Sequence, residues 1–274
     1  MSRVRDAASI WTAGLAIGLA TLRREPILGL KRVLLPSSYW RTMEFAYVYR
    51  QLRLPAGAAV LDVGSPKELA LILARRRGYA VTATDLLPEP VEVARRYAEA
   101  QGISGDGAGR VRTETQDGRH LTYPDNHFDA AFAVSVLEHI PGNGDTEAMR
   151  EMVRVVKPGG LVVVTTPYDL KYREDSVAGS FSGRPGEETI WERHYDEDEL
   201  EKRLLGVDGV QCVDRQLWGE GTLSGEAMLG RMGRLRAFAS PAEAAMAAAC
   251  LRPVRLGDRP MAVFFTLRKL GNSR

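Results

Sequence analysis

Residues 59–68 read Ala-Val-Leu-Asp-Val-Gly-Ser-Pro-Lys-Glu, an apolar run that ends in Asp-Val-Gly and leads into a helical pattern. The apolar run predicts a strand, and Gly64 predicts a tight turn where a ligand can approach the backbone closely. Ser65 as N-cap, Pro66 at the first helical position and Glu68 three residues after the cap fit a capping box. This junction is typical of ligand sites in open α/β sheets, and it also fits any buried strand followed by a capped helix.

Strands and helices alternate along the chain from residue 59 onward. We expect strands near 59–64, 80–86, 110–116, 128–135 and 160–167, with helices near 66–77, 89–101 and 144–156. Alternation of this kind predicts right-handed crossovers and a parallel sheet that is buried on both faces. The C-terminal part of the chain departs from this alternation. There we expect a helix near 196–206, a strand near 210–218, a helical Ala-rich stretch near 225–250 and a last strand at 261–268.

Composition excludes several classes of protein. With 274 residues, of which 45% are hydrophobic, the chain is long enough for one sizeable α/β domain with additions. A formal net charge of +2 is too close to neutral to indicate a nucleic-acid-binding protein. The two cysteines, Cys212 and Cys250, lie far apart without metal-ligand spacing, so they favour neither a disulfide framework nor a zinc site. A reducing, cytoplasmic location is the natural expectation.

The N-terminal arm is basic and apolar. Residues 1–32 hold six basic and two acidic groups, a net charge of +4, and the remainder is −2. Residues 7–22 carry no charge, and they are too few to span a bilayer, which needs about 20 apolar residues. Trp11, Leu15, Leu19 and Leu22 fall on one helical stripe, with Gly14 and Gly18 beside it.

Three interpretations of this arm stay open. We favour a helix packed on its own domain or on a partner subunit over an interfacial membrane helix, and both over a signal or anchor. Peripheral membrane contact through residues 7–32 is therefore a hypothesis. The sequence does not indicate an oligomeric state, although Gly14 and Gly18 permit a helix pair.

Acidic residues follow two of the expected strands. Asp85 ends the second strand, 21 residues after Gly64, where a carboxylate can accept both ribose hydroxyls of a nucleoside. After the third strand, Asp117 precedes Gly118, and its side chain could accept from an adenine amino group. These positions argue for a nucleoside ligand. The further elements are Tyr123 to Asp129, Ser135-Val136-Leu137-Glu138-His139-Ile140 and Lys157-Pro158-Gly159-Gly160.

Taken in order over residues 59–167, these elements resemble the class I S-adenosylmethionine-dependent methyltransferases, and they are similar to the methyltransferase type 11 group that includes quinone-biosynthesis enzymes. The resemblance implies an α/β, Rossmann-like fold with a seven-stranded, mostly parallel sheet and an antiparallel last strand. It implies transfer of a methyl group from S-adenosylmethionine to a small-molecule or lipid-like acceptor. On this basis residues 1–54 are a helical extension or lid, and residues 55–274 are the methyltransferase domain, with substrate-side insertions at 168–195 and 219–258.

The resemblance also implies roles for individual residues around the cofactor. Gly64 would approach its methionine part, Asp85 would hold its ribose, and Asp117 with Gly118 would meet its adenine. The full set of implied cofactor residues is Asp62, Gly64, Ser65, Asp85, Leu86, Asp117, Gly118 and Ser135. One departure matters: Pro66 and Glu68 replace two glycines of the family's turn, which removes an N–H group and adds a negative charge. We favour a rebuilt turn over a lost site.

Candidate bases for an oxygen nucleophile are His139, His194 and Tyr195. Some relatives bind a divalent metal through Glu-x-x-Glu-His, but the first of these residues is Ser135 here, so we expect no metal. Two other functions stay open. One is a non-catalytic or altered-ligand binding protein, and the other is a nicotinamide-dependent oxidoreductase, which the missing Gly-x-Gly-x-x-Gly turn disfavours.

Overall fold

The computed structural model describes residues 3–178, 188–232 and 242–271. Its helices are α1 (Arg3–Leu22), α2 (Pro26–Leu34), α3 (Tyr39–Gln51), α4 (Glu68–Arg77), α5 (Pro88–Ala100), α6 (Gly144–Val155), α7 (Glu197–Leu200), α8 (Gly225–Met232) and α9 (Glu243–Cys250). Its strands are β1 (Ala59–Val63), β2 (Ala80–Asp85), β3 (Val111–Thr115), β4 (Phe128–Val134), β5 (Val156–Pro167), β6 (Arg173–Ala178), β7 (Glu188–His194), β8 (Val210–Glu220), β9 (Leu251–Val254) and β10 (Ala262–Lys269). A π-helical turn, Glu201–Leu205, follows α7.

Eight strands form a mostly parallel sheet with the order β3-β2-β1-β4-β5-β10-β8-β9. β2 pairs parallel with β3, and β4 pairs parallel with β5. β10 pairs antiparallel with β5 and with β8. The predicted Rossmann-like fold class, with an antiparallel last strand, is therefore confirmed. The short strand β9 adds an eighth member to the seven expected.

One compact unit consists of Met1–Asp62, Pro66–Thr115 and Glu220–Arg252. Within it, α1 packs against α2, α3 and α9 of the same chain. The buried side of α1 includes Ala7, Ile10, Ala13 and Ile17. Leu19, on the predicted apolar stripe, is exposed. Of the three interpretations of residues 7–22, packing on the chain's own domain is the one observed.

The start of α4 differs from the predicted capping box. The helix begins at Glu68, its N-cap position is Lys67, and no side chain caps it. Ser65 is used elsewhere, because its Oγ atom accepts a hydrogen bond from the Val134 backbone N–H at 2.9 Å. Glu68 pairs with Arg32 of α2 instead of folding back on the turn. The capping-box prediction is wrong because both of its side chains have other partners.

The second compact unit consists of Val63–Ser65, Gln116–Gly219 and Pro253–Arg274. The excursion predicted at 168–195 contains a two-stranded antiparallel sheet, in which His194 of β7 is paired with Arg173 of β6. The Ala-rich stretch predicted near 225–250 is helical at both ends, as α8 and α9, and residues 233–241 lie outside the described residues. None of the described helices combines the length and apolarity needed to cross a membrane.

Candidate functional site

Asp85 lies at the carboxyl end of β2, and its side chain is 17% exposed. Its Oδ1 atom accepts a hydrogen bond from the Leu87 N–H at 3.1 Å. Its Oδ2 atom pairs with the Lys67 ammonium at 3.1 Å. Because an ionised carboxylate offers about four acceptor positions, two are left for a pair of donors such as ribose hydroxyls. The chemistry and place of Asp85 therefore fit the ribose of the implied cofactor.

Lys67 is a component of this site that the sequence analysis missed. Its buried ammonium also donates a hydrogen bond to the Thr84 carbonyl at 2.7 Å, so it is fixed at the end of β2. A signal for it exists in the sequence, since a lysine at the start of a helix is placed against the helix dipole and needs a carboxylate nearby.

The other two predicted cofactor residues of this unit flank Asp85. Asp62 is fully buried at the end of β1, and its carbonyl accepts a hydrogen bond from the Thr84 hydroxyl at 2.8 Å. Leu86 follows Asp85 with its side chain half exposed. It offers an apolar surface beside the carboxylate, as a nucleoside base requires.

Glu68, which replaces a glycine of the family's turn, is neutralised by Arg32. Both side chains are largely buried, at 18% and 17% exposure, so the attraction between them is poorly screened. The added negative charge therefore has a partner within the protein. This ion pair supports the interpretation of a rebuilt turn.

In the second unit, Gly64, Gly118 and Ser135 lie where the backbone is crowded or strained. Gly64 has φ +67°, and a Cβ atom there would lie 2.7 Å from Val136 Cγ1. A Cβ atom on Gly118 would lie 3.0 Å from Val63 Cγ1. Ser135 has φ +48°, which is uncommon for a residue with a side chain, and its N–H donates to the Thr165 carbonyl at 2.9 Å. Backbone strain at the end of a strand is typical of functional positions.

Asp117 is held by Arg119, two residues further along the chain. The Arg119 Nη2 atom donates to the Asp117 Oδ2 atom at 2.6 Å. This hydrogen bond is the main reason that the pKa of Asp117 lies below its usual range. The side chain thus stays an acceptor at neutral pH, as contact with an adenine amino group requires.

His139 lies in a short 3₁₀ turn, Leu137–His139, directly after β4. Its Nδ1 atom contacts the Trp191 carbonyl, and the two rings are 5.5 Å apart. Because a carbonyl can only accept, Nδ1 carries the proton in neutral imidazole and Nε2 has the lone pair. Nε2 lies 3.9 Å from the Oε1 atom of Glu138, which is fully buried. This geometry leaves Nε2 able to take a proton, with a carboxylate near the resulting charge.

The structure does not bring His194 together with His139. His139 contacts Trp191 and Glu138, whereas the contacts of His194 are with Arg173 and Asp175. The Nε2 atom of His194 is 3.0 Å from the Arg173 guanidinium and 3.4 Å from an Asp175 carboxylate oxygen.

Tyr195 is fully buried, and its hydroxyl donates to the Asp145 Oδ2 atom at 2.8 Å. Burial, and then the Asp145 charge, raise the pKa of Tyr195 well above its ordinary value. Arg203 binds the same carboxylate at 2.7 Å, and Arg193 lies 3.7 Å from it. The sequence analysis missed this buried cluster, because no spacing links Asp145 with residues about 50 positions away.

No group of three or more His, Cys, Asp or Glu side chains is placed to hold a metal ion within the part of the chain that the structure describes. The absence of a metal from the reaction stays a prediction.

Residues 61–164 match the family model described as a methyltransferase domain. The methyltransferase GfsG of Streptomyces halstedii is 35% identical over 118 residues, which are 43% of this chain and 40% of that protein. A ubiquinone biosynthesis O-methyltransferase of Xanthomonas euvesicatoria pv. vesicatoria is 36% identical over 120 residues, which are 44% of this chain and 47% of that protein. The matched region thus spans less than half the length of these relatives.

The fold is shared with a solved S-adenosylmethionine-dependent methyltransferase of Methanosarcina mazei. The TM-score is 0.53 at 17% identity, over 81% of this chain and 97% of the other. S-adenosylmethionine is the methyl donor named for that protein. The resemblance drawn from the sequence is confirmed for residues 61–164, which form a methyltransferase domain.

Proposed function

We propose that this protein transfers a methyl group from S-adenosylmethionine to a small-molecule or lipid-like acceptor. The observation that carries the proposal is Asp85, a partly exposed carboxylate at a strand end that keeps acceptor positions for a ribose. When bound, the cofactor supplies a methyl group already activated by its sulfonium. The chain's own residues then have to hold the acceptor in line with that group and, for an oxygen nucleophile, remove a proton.

Calorimetric titration with S-adenosylhomocysteine tests the cofactor part of the proposal. We expect Asp85→Asn to weaken binding at least about tenfold, because a neutral amide accepts weakly from two hydroxyls and offers one oxygen instead of two. Glu89→Gln is the matched control, since it removes one exposed negative charge from the next helix and should leave the affinity unchanged. Folded protein that gives no heat with the ligand would favour the non-catalytic alternative.

His139 is the base that the geometry favours among the three candidates. Its Nε2 atom is the basic nitrogen, whereas Tyr195 is buried against Asp145 and His194 is engaged by Arg173 and Asp175. With an acceptor found by screening hydroxylated small molecules and polyprenyl phenols, His139→Gln should lower kcat by about 10² or more and abolish the acidic limb of the pH–rate profile. Its affinity for S-adenosylhomocysteine should stay unchanged. An unchanged acidic limb would remove His139 as the base.

The preference for a lipid-like acceptor rests on the exposed face of α2. Ile27, Leu30 and Leu34 are spaced along one side of this helix with at least half of each side chain exposed. Exposed Arg24 and Lys31 lie beside them. An apolar stripe with basic neighbours fits an anionic membrane surface, from which an apolar acceptor could be taken. The proposed membrane contact lies on α2, because one side of α1 is buried within the protein.

Flotation with anionic liposomes tests this surface. We expect the protein to float with vesicles that contain phosphatidylserine, and we expect a triple variant (Ile27→Ser, Leu30→Ser, Leu34→Ser) to stay at the bottom of the gradient. Leu223→Ser is the matched control, because this leucine is exposed on another part of the chain. Equal flotation of the triple variant would contradict the proposal. The cytoplasmic location stays a prediction.

A further inference from the structure

A basic cavity of about 340 Å³ lies within the first unit, formed by α1, α3 and the C-terminal end of α4. Four arginines line it: Arg5, Arg50, Arg53 and Arg77. The only carboxylate among its lining residues is that of Asp6. Four guanidinium groups and one carboxylate give the lining a net charge of +3.

The contacts of these arginines leave much of their positive charge facing the cavity. Arg50 pairs with Asp6 at 2.6 Å, so these two groups neutralise each other. Arg5 and Arg53 are exposed. No carboxylate pairs with either of them among the described residues. Guanidinium groups that line one cavity repel one another, and a bound anion would relieve that repulsion.

Arg77 is held in place by Tyr49. Its guanidinium carbon lies 4.1 Å from the centre of the Tyr49 ring, and its Nη2 atom donates to the Tyr49 carbonyl at 3.1 Å. Its Nε atom is buried and donates no hydrogen bond to any described residue. Arg77 is thus a preorganised cation with an unused donor, and stacked arginines of this kind are typical of anion recognition.

Phosphate is the anion whose chemistry suits this lining. Planar guanidinium groups donate paired hydrogen bonds to phosphate oxygens, and such charge-assisted bonds are the strong ones. The volume is near the lower end of the roughly 300–1,000 Å³ that is usual for small-ligand sites. The aromatic ring of Tyr49 and the side chain of Ile10 supply an apolar wall for an organic group attached to the phosphate.

Within the first unit, the cavity and the Lys67 side chain that pairs with Asp85 lie at opposite ends of α4. Lys67 and Glu68 lie at the N-terminal end of α4, whereas Arg77 is its last residue. A helix of that length spans about 15 Å. Arg75, Arg76 and Arg77 lie in the last turn of α4, where cations interact favourably with the helix dipole, and Arg77 in addition lines the cavity.

We propose that the arginine-lined cavity binds a phosphate group, carried by a small metabolite or by a phospholipid head group. The site requires neither the methyl donor nor the methyl acceptor, so it can be tested whether or not the protein transfers methyl groups.

Calorimetric titration with inorganic pyrophosphate, at an ionic strength held constant with sodium chloride, is the direct test. We expect saturable binding with one site per chain, and a dissociation constant raised at least about tenfold in the double variant Arg5→Gln, Arg53→Gln. Both side chains are exposed, so the variant should keep the melting temperature of the unmodified protein. The matched control is Arg75→Gln, Arg110→Gln, which removes two exposed arginines outside the cavity. Absence of saturable binding, or an equal loss in the control, would overturn the proposal.

Vesicles distinguish the two sources of the phosphate. This test uses protein that also carries the triple serine substitution of α2 (Ile27→Ser, Leu30→Ser, Leu34→Ser), so that α2 does not bind the vesicles. With vesicles of phosphatidylcholine and phosphatidic acid, the Arg5→Gln, Arg53→Gln variant should stay at the bottom of the gradient and the control should float when the natural ligand is a lipid head group. Equal flotation of both variants, together with the loss of pyrophosphate binding, identifies a soluble phosphorylated molecule.

Discussion

Lys67 connects the turn after β1 with the end of β2. Its position at the start of α4 places a cation at the positive end of the helix dipole, which is unfavourable by itself. Two acceptors compensate, the Thr84 carbonyl at 2.7 Å and the Asp85 carboxylate at 3.1 Å. Because the lysine takes one acceptor position of Asp85 and leaves others, it holds the carboxylate in place for a second set of donors.

Replacing Lys67 by methionine should therefore weaken cofactor binding. We expect Lys67→Met to raise the dissociation constant for S-adenosylhomocysteine about tenfold, since Asp85 loses the partner that positions it. Lys31→Met, in the exposed face of α2, is the control and should have no effect. Tighter binding in Lys67→Met would show the reverse, that the lysine competes with the ribose for the carboxylate.

The sequence could predict the backbone of this region better than its side-chain partners. Gly64 has the positive φ that a tight turn requires, and Asp85 does end its strand, because both follow from local pattern. The cap predicted at Ser65 was wrong, since its hydroxyl binds the backbone of β4. The partner of Glu68 is an arginine 36 residues earlier, and local pattern carries no information about such a distant contact.

The glycines of α1 decide how closely this helix packs on its own chain. A Cβ atom on Gly14 would lie 1.8 Å from the Pro36 carbonyl oxygen, and one on Gly18 would lie 2.7 Å from the Val33 nitrogen. Both obstacles are backbone atoms, so a side chain cannot be accommodated by a rotamer change. Gly14 and Gly18, which permit a helix pair, thus serve close packing within the chain.

Gly14→Ala should lower the free energy of unfolding by about 2–4 kcal/mol, because the backbone around residue 36 has to move. Urea unfolding at neutral pH measures this change. Gly230→Ala in α8 is the opposite case, since its Cβ atom would meet nothing within 4 Å. There the better helix propensity of alanine should raise stability by about 0.5–1 kcal/mol. Equal effects of the two substitutions would contradict the packing argument.

α6 carries an ion pair that makes stability depend on pH. Arg154 donates to the Leu121 and Tyr123 carbonyls at 2.9 Å each, and it pairs with Glu151. The hydrogen bond from Arg154 is the main cause that lowers the pKa of Glu151. A carboxyl group whose pKa is lowered by folding contributes stability above its unfolded pKa of about 4.3, and this contribution is lost as pH falls through the folded value.

Glu151→Gln should remove this pH dependence. We expect the variant to be less stable than the unmodified protein at pH 7 and to lose less stability on acidification below about pH 4. Urea unfolding across the acid range measures both differences. Asp208→Asn, at an exposed position between the π-helical turn and β8, serves as the control and should follow the unmodified protein throughout. Parallel curves for Glu151→Gln and the unmodified protein would exclude the ion pair as a source of acid sensitivity.

At the level of elements, apolar strands were predictable and polar ones were not. β1, β2, β3 and β4 lie within one residue or so of the expected ranges, because each is an apolar or β-branched run bounded by turn residues. No strand was predicted for β6 or β7, which lie in the insertion expected at 168–195. Their sequences, Arg-Glu-Asp-Ser-Val-Ala and Glu-Thr-Ile-Trp-Glu-Arg-His, are rich in charge and show no core-facing alternation.

For the molecule as a whole, the question is whether residues 1–54 act as a lid or belong to the core. The lid stays a prediction, but the packing favours a core role for at least α1 and α3. Tyr47, Val48 and Leu52 are fully buried, and the Tyr79 hydroxyl donates to the Leu52 carbonyl at 2.7 Å. Arg50 of α3 pairs with Asp6 of α1. Because of these contacts, α1 and α3 cannot separate from the rest of this unit without exposing apolar surface.

A chain that begins at residue 23, and so lacks α1, should show the cost of that exposure. Ile10 and Ile17 are each 2% exposed, and burial of two such side chains with their alanine neighbours contributes about 5 kcal/mol. Because a domain is stable by about 5–15 kcal/mol, we expect the truncated protein to unfold or to melt at least about 10 °C lower. Leu19→Ser, on the exposed face of the same helix, should melt like the unmodified protein. A truncated chain with an unchanged melting temperature and a lost methyl transfer would instead identify α1 as part of a lid.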